Sequence, residues 1–546
     1  MADDAVTAPA VLSLPRGVTL ARLGLAAAVG CAAVLYLSTF PEGSDGLVHS
    51  DDGLNYARQI EQEDWRDLLH PHHLFYHWVG RALGRAARPF TAWSWHATLL
   101  GLKALSAVSG ALAVGFVYLA LRRRTGDRFA AALGAACLAC FSGFWYFASV
   151  PETMAPAAAA MAGALWALAG GEGRSPVRSH AYAGLWHAAA TLLRQDQILF
   201  VPALVAHAVV GAPGRWRRRV GAYLVAYGAP VGAAYLAVYG FAVRGGGKHP
   251  SLWHWLTYYG QMGIWGEGAA SLQVAWLSLQ AVTWRYILGI AIRPGHSLVL
   301  AALLLLLFLA VPGGVRQARR VWAFWALAAV WLAAALSFYA WWDPGNAYAY
   351  MMGSLVPTAC VLGLAAARAR GVGDPGSWRY QRGLVACLVP AILWITWGGL
   401  VRPLQATTIR DEAGVWAAAT TDDDLILTNR YTLHIALKYT MGRDIVWVRG
   451  LPYALFGGMN AEAIAAMVDR FHAAGRQVYV TQDVFDGRWS TTDFARAGDG
   501  FEQSYPVDPV HGQIWQVLGR YHLEKVQLGV GPRGPVTAWR VWPKGK

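Results

Sequence analysis

Asp51 and Asp52 open the segment DDGLNYARQIEQEDW, and four histidines follow in HPHHLFYHW (70–78). Adjacent carboxylates can take up a proton, hold a divalent ion or cap a helix. Histidines can ligate a metal or exchange hydrogen bonds with a polar ligand. A zinc site needs ligands on one face of a regular element. Pro71 interrupts any helix here, so His70, His72 and His73 are not expected to share a face. Hydrogen bonding of these histidines to a phosphate or a sugar is the better reading. The acidic segment has a helical period, with Leu54, Ala57 and Ile60 on one stripe and polar residues opposite. Ser50 or Asp51 would cap it. Such a helix is expected to lie on a bilayer surface. The plain alternative is that both aspartates are solvated capping residues.

The elements that must position these groups are membrane helices. Of the 546 residues, 56% are hydrophobic and 14% charged, against about 25% charged in soluble domains. Eleven apolar segments follow, near 19–40, 97–121, 129–148, 153–170, 180–194, 197–212, 220–243, 297–312, 321–342, 353–370 and 383–402. The net charge of +14 is spread over short basic loops between them: RRRTGDR (122–128), GRSPVRSH (173–180), GRWRRR (214–219), VRQARR (315–320) and RARGVGDPGSWRYQR (368–382). These fall on alternate connections. That pattern marks the cytoplasmic side of a membrane protein and does not suggest nucleic-acid binding. The N-terminus is then cytoplasmic and the C-terminus outside. The five cysteines, Cys31, Cys137, Cys140, Cys360 and Cys387, all sit in apolar segments, so no disulfide framework is implied. A bacterial inner membrane fits, with the tail in the periplasm.

The outward segments are then 41–96, the turn at Pro151–Glu152, the turn at Arg194–Asp196, 244–296, 343–352 and the tail. The chain divides into residues 1–402, the membrane domain, and 403–546, an extracytoplasmic α/β domain. In the tail, DDLILTN (423–429), DIVWVRG (444–450) and QVYVTQDV (477–484) read as strands. RYTLHIALKYTM (430–441) and NAEAIAAMVDRFHAAG (460–475) read as helices, the second capped by Asn460 and Gly475. Strands alternating with helices imply a small parallel sheet. No GxGxxG follows the first strand, so nucleotide binding is not expected. The acidic run TTDDDL (420–425) reads as a polar turn.

The pattern DDGLNYA … HPHHLFY resembles the first outer loop of the GT-C glycosyltransferases. These are polytopic enzymes that use polyprenyl-phosphate-linked sugars, such as protein O-mannosyltransferases and aminoarabinose lipid A transferases. In that pattern an acidic residue precedes an aromatic by four, and HPPL or KPPL follows. Here Asp52 precedes Tyr56 by four, and HPHHL stands where HPPL would. Gly53 replaces the second acidic residue of the usual DE, and His72 the second proline. Two further segments resemble the family: FWYFASVPETMAPAAAAM (144–161), with Glu152 in the outer turn, and GLWHAAATLLRQDQILFVPAL (184–204).

The resemblance implies a transferase that moves a sugar from a polyprenyl-phosphate donor to an acceptor hydroxyl at the outer face. It implies Asp52 as the catalytic carboxylate, with Asp51 one place early as the other candidate. A partly desolvated carboxylate has the raised pKa that suits a base. Substrate contacts are expected from Tyr56, His70, His72, His73, Glu152, Arg194, Lys248, His249, Arg293, His296 and Asp343, with Tyr348 nearby. Arg194 and Arg293 lead for the phosphate, because a guanidinium offers a fork of donors. The loop SLWHWLTYYGQMGIWGEG (251–268) reads as an interfacial cover or an aromatic belt. Asp51 and Asp52 with a donor phosphate would also suit Mg²⁺ or Mn²⁺. The acceptor would be a glycan, a lipid or a protein. Two other readings stand beside this one. One is a glycan polymerase or O-antigen ligase, supported by the large loop 244–296. The other is a transporter or flippase, which internal repeats and midplane charges would support; neither is seen here.

Overall fold

The computed structural model describes residues 16–39, 51–91, 94–170, 175–211, 213–246, 249–257, 319–342, 351–369, 389–390, 392–394, 397, 409–429, 433–434, 436–448, 460–486, 509–531 and 534–544. The first part is a bundle. Its helices are α1 (Arg16–Ser38), α2 (Asp51–Gln62), α3 (Tyr76–Ala87), α4 (Ser94–Thr125), α5 (Arg128–Cys140), α6 (Ser142–Ser149) and α7 (Met154–Ala169). There follow α8 (Pro176–Leu193), α9 (Val201–Gly211), α10 (Trp216–Val238), α11 (Leu252–Leu256), α12 (Arg319–Trp342) and α13 (Leu355–Ala369).

α4 is the hub: α1, α2, α3, α5 and α7 pack on it, and α8 lies between α7 and α10. The composition explains the closeness. α7 is MAPAAAAMAGALWALA, and all its residues but Trp166 are buried. Small side chains let helix backbones approach, and the gain is in close packing. The same device joins α5 to α13. A Cβ on Gly134 would lie 2.8 Å from the Ala359 carbonyl oxygen, and one on Gly363 would lie 2.9 Å from that of Ala130.

Among the described residues, two helical stretches are long and apolar enough to cross a membrane, Ala97–Thr125 and Trp216–Gly246. The segment expected to cross continuously near 129–148 is instead two helices, α5 and α6, bent by 63°. Phe141 is extended at the break, with φ −60° and ψ 123°. The Ser142–Gly143 pair that follows explains the bend, since such pairs favour kinks. Counting the bent pair as one crossing makes three. Five shorter apolar helices lie at Arg22–Ser38, Met154–Ala169, Gln195–Gly211, Ala323–Phe338 and Met352–Leu364. α8 covers the segment near 180–194, but Arg178, His180 and His187 interrupt its apolar run. The expected segment near 297–312 lies outside the described residues, as does most of that near 383–402.

The tail begins with α14 (Ile409–Ala419) and carries a five-stranded sheet of order β2-β1-β3-β5-β4. The strands are β1 (Leu425–Thr428), β2 (Asp444–Trp447), β3 (Val478–Thr481), β4 (Tyr521–Gly531) and β5 (Gly534–Pro543). β1 pairs in parallel with β2 and β3, β5 runs antiparallel to β3, and β4 and β5 form a hairpin. α15 (Ala461–Ala473) and α17 (Pro509–Leu518) cover one face, and the short α16 (Gln482–Asp486) follows β3. Asn460 caps α15 by accepting from the Ala463 N–H at 2.9 Å, and Gly475 follows it with φ +75°. Of the helix expected at 430–441, the described part is residues 433–434 and a π-turn, Ala436–Thr440. The acidic turn is held within the tail. Asp422 pairs with Arg443, Asp423 with Arg476 at 3.2 Å, and Asp424 accepts from the Thr421 and Gln477 N–H groups.

Candidate active site

α2 starts at Asp51, so both aspartates stand in its first turn, where the helix dipole favours negative charge. Their carboxyl groups lie outside the described residues. Next to them, Gly53 rests on the turn between α6 and α7. A Cβ at position 53 would lie 2.9 Å from the Pro151 carbonyl oxygen and 3.0 Å from the Pro151 Cβ. This accounts for glycine at that place: a larger residue would push the start of α2 off the Glu152 turn. Gly53→Ala is expected to cost about 1–3 kcal/mol through overpacking. A thermal melt reads this directly, and an unchanged melting temperature would show that the approach is not tight.

The apolar stripe of α2 does not face lipid. Ala57 and Ile60 are buried in a cluster with Tyr56, Leu68, Tyr76, Leu99 and Leu102. Leu54 is buried in the core on the second face of the tail sheet, among Ala413, Trp416, Ile426, Leu433 and Leu437. The expected interfacial helix is therefore a buried bridge between bundle and tail. The reason is physical: an amphipathic stripe buries against any apolar partner, and here two protein surfaces supply one.

The histidines come together, although no long regular element gives them a shared face. His70 and His72 stack with ring centroids 5.5 Å apart, and His73 lies 6.3 Å from each. His77, one helical turn on, lies 6.2 Å from His73. A 3₁₀ turn, Pro71–His73, turns the three rings inward, and two neighbours hold it. The Tyr235 hydroxyl of α10 donates to the Pro71 carbonyl at 2.7 Å, and the Phe75 N–H donates to the Leu192 carbonyl of α8 at 3.1 Å. The Tyr56 hydroxyl lies 3.3 Å from His73 Nε2. Among the described residues no set of three or more His, Cys, Asp or Glu has a metal-holding arrangement.

The rings are kept neutral. Burial pushes His77 down to about 4. Burial also lowers His72 to about 4, with Asp196 opposing and Arg194 adding to the shift. His70 is lowered by burial first and then by His72, His77 and His249, and His73 by burial first and then by Arg194 and the neighbouring histidines.

Arg194 closes the site from the α8 side. Only 8% exposed, it is sequestered from the interface where a snorkelling cation would sit. Its Nε donates to Asp196 Oδ2 at 2.8 Å and its Nη1 to Thr153 Oγ1 at 2.9 Å. Gln197 Nε2 donates to Asp196 Oδ1 at 2.9 Å. Glu152 is buried, and its carboxylate accepts from the Thr153 N–H at 3.2 Å. Ser106 of α4 brackets the same turn: its hydroxyl accepts from the Glu152 N–H at 3.2 Å and donates to the Glu152 carbonyl at 3.3 Å. Lys103, 2% exposed, stands one turn before Ser106 on the same face of α4. Sequence reasoning passed over Lys103, His77 and Asp196 as site residues. Their signal was present: lone ionisable residues in an apolar chain mark functional or structural polar sites.

His249 lies beside His254, with Nδ1 atoms 3.2 Å apart, and its charge acts on His70. Trp255 of α11 is buried against Tyr235 and Tyr239, whereas Trp253 is exposed. The rest of the aromatic loop, 258–268, lies outside the described residues, as do Lys248, Arg293, His296, Asp343 and Tyr348.

A family model described as dolichyl-phosphate-mannose-protein mannosyltransferase matches residues 95–237, from α4 to the end of α10. ArnT from Cupriavidus metallidurans in the apo state superimposes with a TM-score of 0.58 at 15% identity, over 96% of this chain and 98% of that one. The chain has the GT-C fold. ArnT bound to undecaprenyl phosphate gives a TM-score of 0.59 at 15% identity, over 94% of this chain and 97% of that one. The Archaeoglobus fulgidus oligosaccharyltransferase in the apo form gives 0.52 at 14% identity, over 86% and 70%. No curated protein sequence matches. The resemblance of the first outer loop to GT-C glycosyltransferases is thus met at the level of fold. The family match holds Glu152, Arg194 and the α4 face with Lys103, and the α2 loop lies before it.

Proposed function

We propose that this chain is a multi-pass membrane glycosyltransferase that moves a sugar from a polyprenyl-phosphate carrier to an acceptor hydroxyl on the outer face. One observation carries the reading. The contact of Gly53 with Pro151 brings the start of α2 to the Glu152 turn, and Arg194 joins that turn to the histidine cluster. A carboxylate-bearing helix end, a buried cation set and neutral hydrogen-bonding rings then border one place.

In this proposal Asp52 takes the proton of the acceptor hydroxyl. The acceptor oxygen forms a bond to the anomeric carbon, the carbon–oxygen bond to the phosphate breaks, and polyprenyl phosphate leaves. Arg194 and Lys103 supply positive charge for the phosphate, and a guanidinium suits its oxygens. His70, His72 and His73, held neutral, offer hydrogen bonds without adding charge. Glu152 and Tyr56 border the sugar. Lys248, Arg293, His296 and Asp343 belong to outer loops and complete the substrate rim. In this proposal the chain makes about eleven crossings with the basic loops inside, and so has its tail in the periplasm of a bacterial inner membrane.

Native mass spectrometry of the full chain, purified gently from its own membrane, tests this. A co-purifying polyprenyl phosphate is expected, and any extra mass reports the sugar class. A longer glycan would favour a polymerase or ligase. Only bulk phospholipid across several preparations would overturn the proposal. The adjacent Asp51 and Asp52 also suit Mg²⁺ or Mn²⁺, and the same spectrum reads a bound ion.

A further inference from the structure

The opposite end of the bundle carries a second polar cluster that transfer does not use. Arg124 closes α4, Ser179 and His180 lie near the start of α8, His207 near the end of α9, and Arg219 near the start of α10. Each is at most four residues from its helix end, about 6 Å along the axis. In a bundle that crosses a bilayer, the helix ends lie near the headgroups. The rings of His180 and His207 have centroids 5.6 Å apart. Phe324 of α12 meets His207 edge-on at 5.0 Å and carries the Arg124 guanidinium at 5.5 Å.

Several polar atoms here lack a partner. Ser179, His180 and His207 are 2%, 4% and 7% exposed. Ser179 Oγ, His180 Nε2, His207 Nδ1 and Arg219 Nε are all buried without a hydrogen-bond partner among the described residues. Unmade bonds at buried polar atoms are costly, so such a set calls for an occupant. Among the described residues, the charged groups acting on His207 and Arg219 are Arg124, Arg215, Arg219 and the neighbouring His180, with no carboxylate among them. Asp127, the acid nearest Arg124 in sequence, caps α5 through the Phe129 and Ala130 N–H groups. Ser175 makes no side-chain cap on α8, whose first N–H groups also favour an anion.

The donors and acceptors specify the ligand further. Arg219 Nε–H and the Ser179 hydroxyl can donate to a phosphate oxygen. The His180 Nδ1–H is given to the Pro176 carbonyl at 2.7 Å, so on a neutral ring Nε2 accepts. A ligand that fills the cluster therefore carries a phosphate and a hydroxyl together. We infer that this end of the bundle binds a phosphoglycerol headgroup, as in phosphatidylglycerol, its phosphate on Arg219 and Ser179 and its hydroxyl on His180. Free phosphate shares the anion chemistry but lacks the hydroxyl.

The full chain in nanodiscs tests this through its melting temperature and its retained lipid. Phosphatidylglycerol mixed into phosphatidylcholine discs is expected to raise the melting temperature and to survive as a lipid adduct in the mass spectrum. Inorganic phosphate added to phosphatidylcholine discs is expected to do neither. Arg219→Gln, at a half-buried residue, should lower adduct retention about tenfold and leave the melting temperature in pure phosphatidylcholine unchanged. Ser179→Ala should act in the same direction. Equal melting temperatures in the two lipids would overturn the inference, and so would an undiminished adduct in Arg219→Gln. A full shift with inorganic phosphate alone would overturn the headgroup assignment in favour of the free ion.

Discussion

Asp52→Asn is expected to abolish transfer while leaving the protein folded. Loss of a positioned general base costs roughly 10²–10⁴ in rate. The geometry of α2 separates the two aspartates. Position 52 is four residues before Tyr56, so both stand on one face of the helix. Tyr56 lies 3.3 Å from the His73 ring, which places that face on the histidine cluster. Position 51 is three and seven residues before Leu54 and Arg58. Leu54 is buried in the tail core, and the Arg58 charge acts on His434 of the tail. Asp51→Asn is therefore expected to retain most activity and to lose only a first-turn charge, worth about 0.3–1 kcal/mol. The assay is transfer of labelled sugar from a polyprenyl phosphate, with the melting temperature as a fold control. Full activity in Asp52→Asn would sink the mechanism. Loss confined to Asp51→Asn would move the base by one residue.

Acid is expected to destabilise the protein steeply below neutral pH. An unfolded chain protonates its histidines as the pH falls through about 6.5. In the folded site, burial keeps His77 and His72 neutral to about 4, and His70 and His73 are lowered in the same direction. Unfolding then takes up protons across this window, so stability present above pH 6.5 is lost as the pH falls toward 4. For the fully buried His77 the lowering from 6.5 to about 4 corresponds to about 3 kcal/mol. Neither nitrogen of His77 has a hydrogen-bond partner among the described residues. His77→Phe is thus expected to hold its melting temperature at pH 7.5 and to flatten the fall between pH 6.5 and 4.5. A wild-type melting temperature that does not change over that range would falsify the claim that the rings are buried neutral.

The outer loop shows where legibility stopped. The period of Leu54, Ala57 and Ile60 was visible, and so was the helix that carries them. Their partner was not, because a stripe states only that it will be buried. The histidines were visible as residues, but their convergence depends on Tyr235 and Leu192, which lie far away in sequence. Arg194 read as a leading phosphate-binding cation of an outer turn, with nothing in its neighbours to show that it is buried. Thr153 and Asp196 turned it inward. In the tail, the β1 to β3 strands and the Asn460 cap were local signals of period and turn chemistry, and they appear where expected.

By itself, then, the sequence determined the apolar helical character of the first part, the parallel core of the tail sheet and the kinds of side chain available for the proposed transfer. Those depend on composition and on patterns only a few residues long. Tertiary structure alone decided which groups meet. It set Gly53 on Pro151, clustered the neutral histidines, sank Arg194 into an ion pair and bent α5 from α6. Each of those outcomes depends on close packing between segments distant in the chain, and packing at that range leaves no periodic trace in either segment.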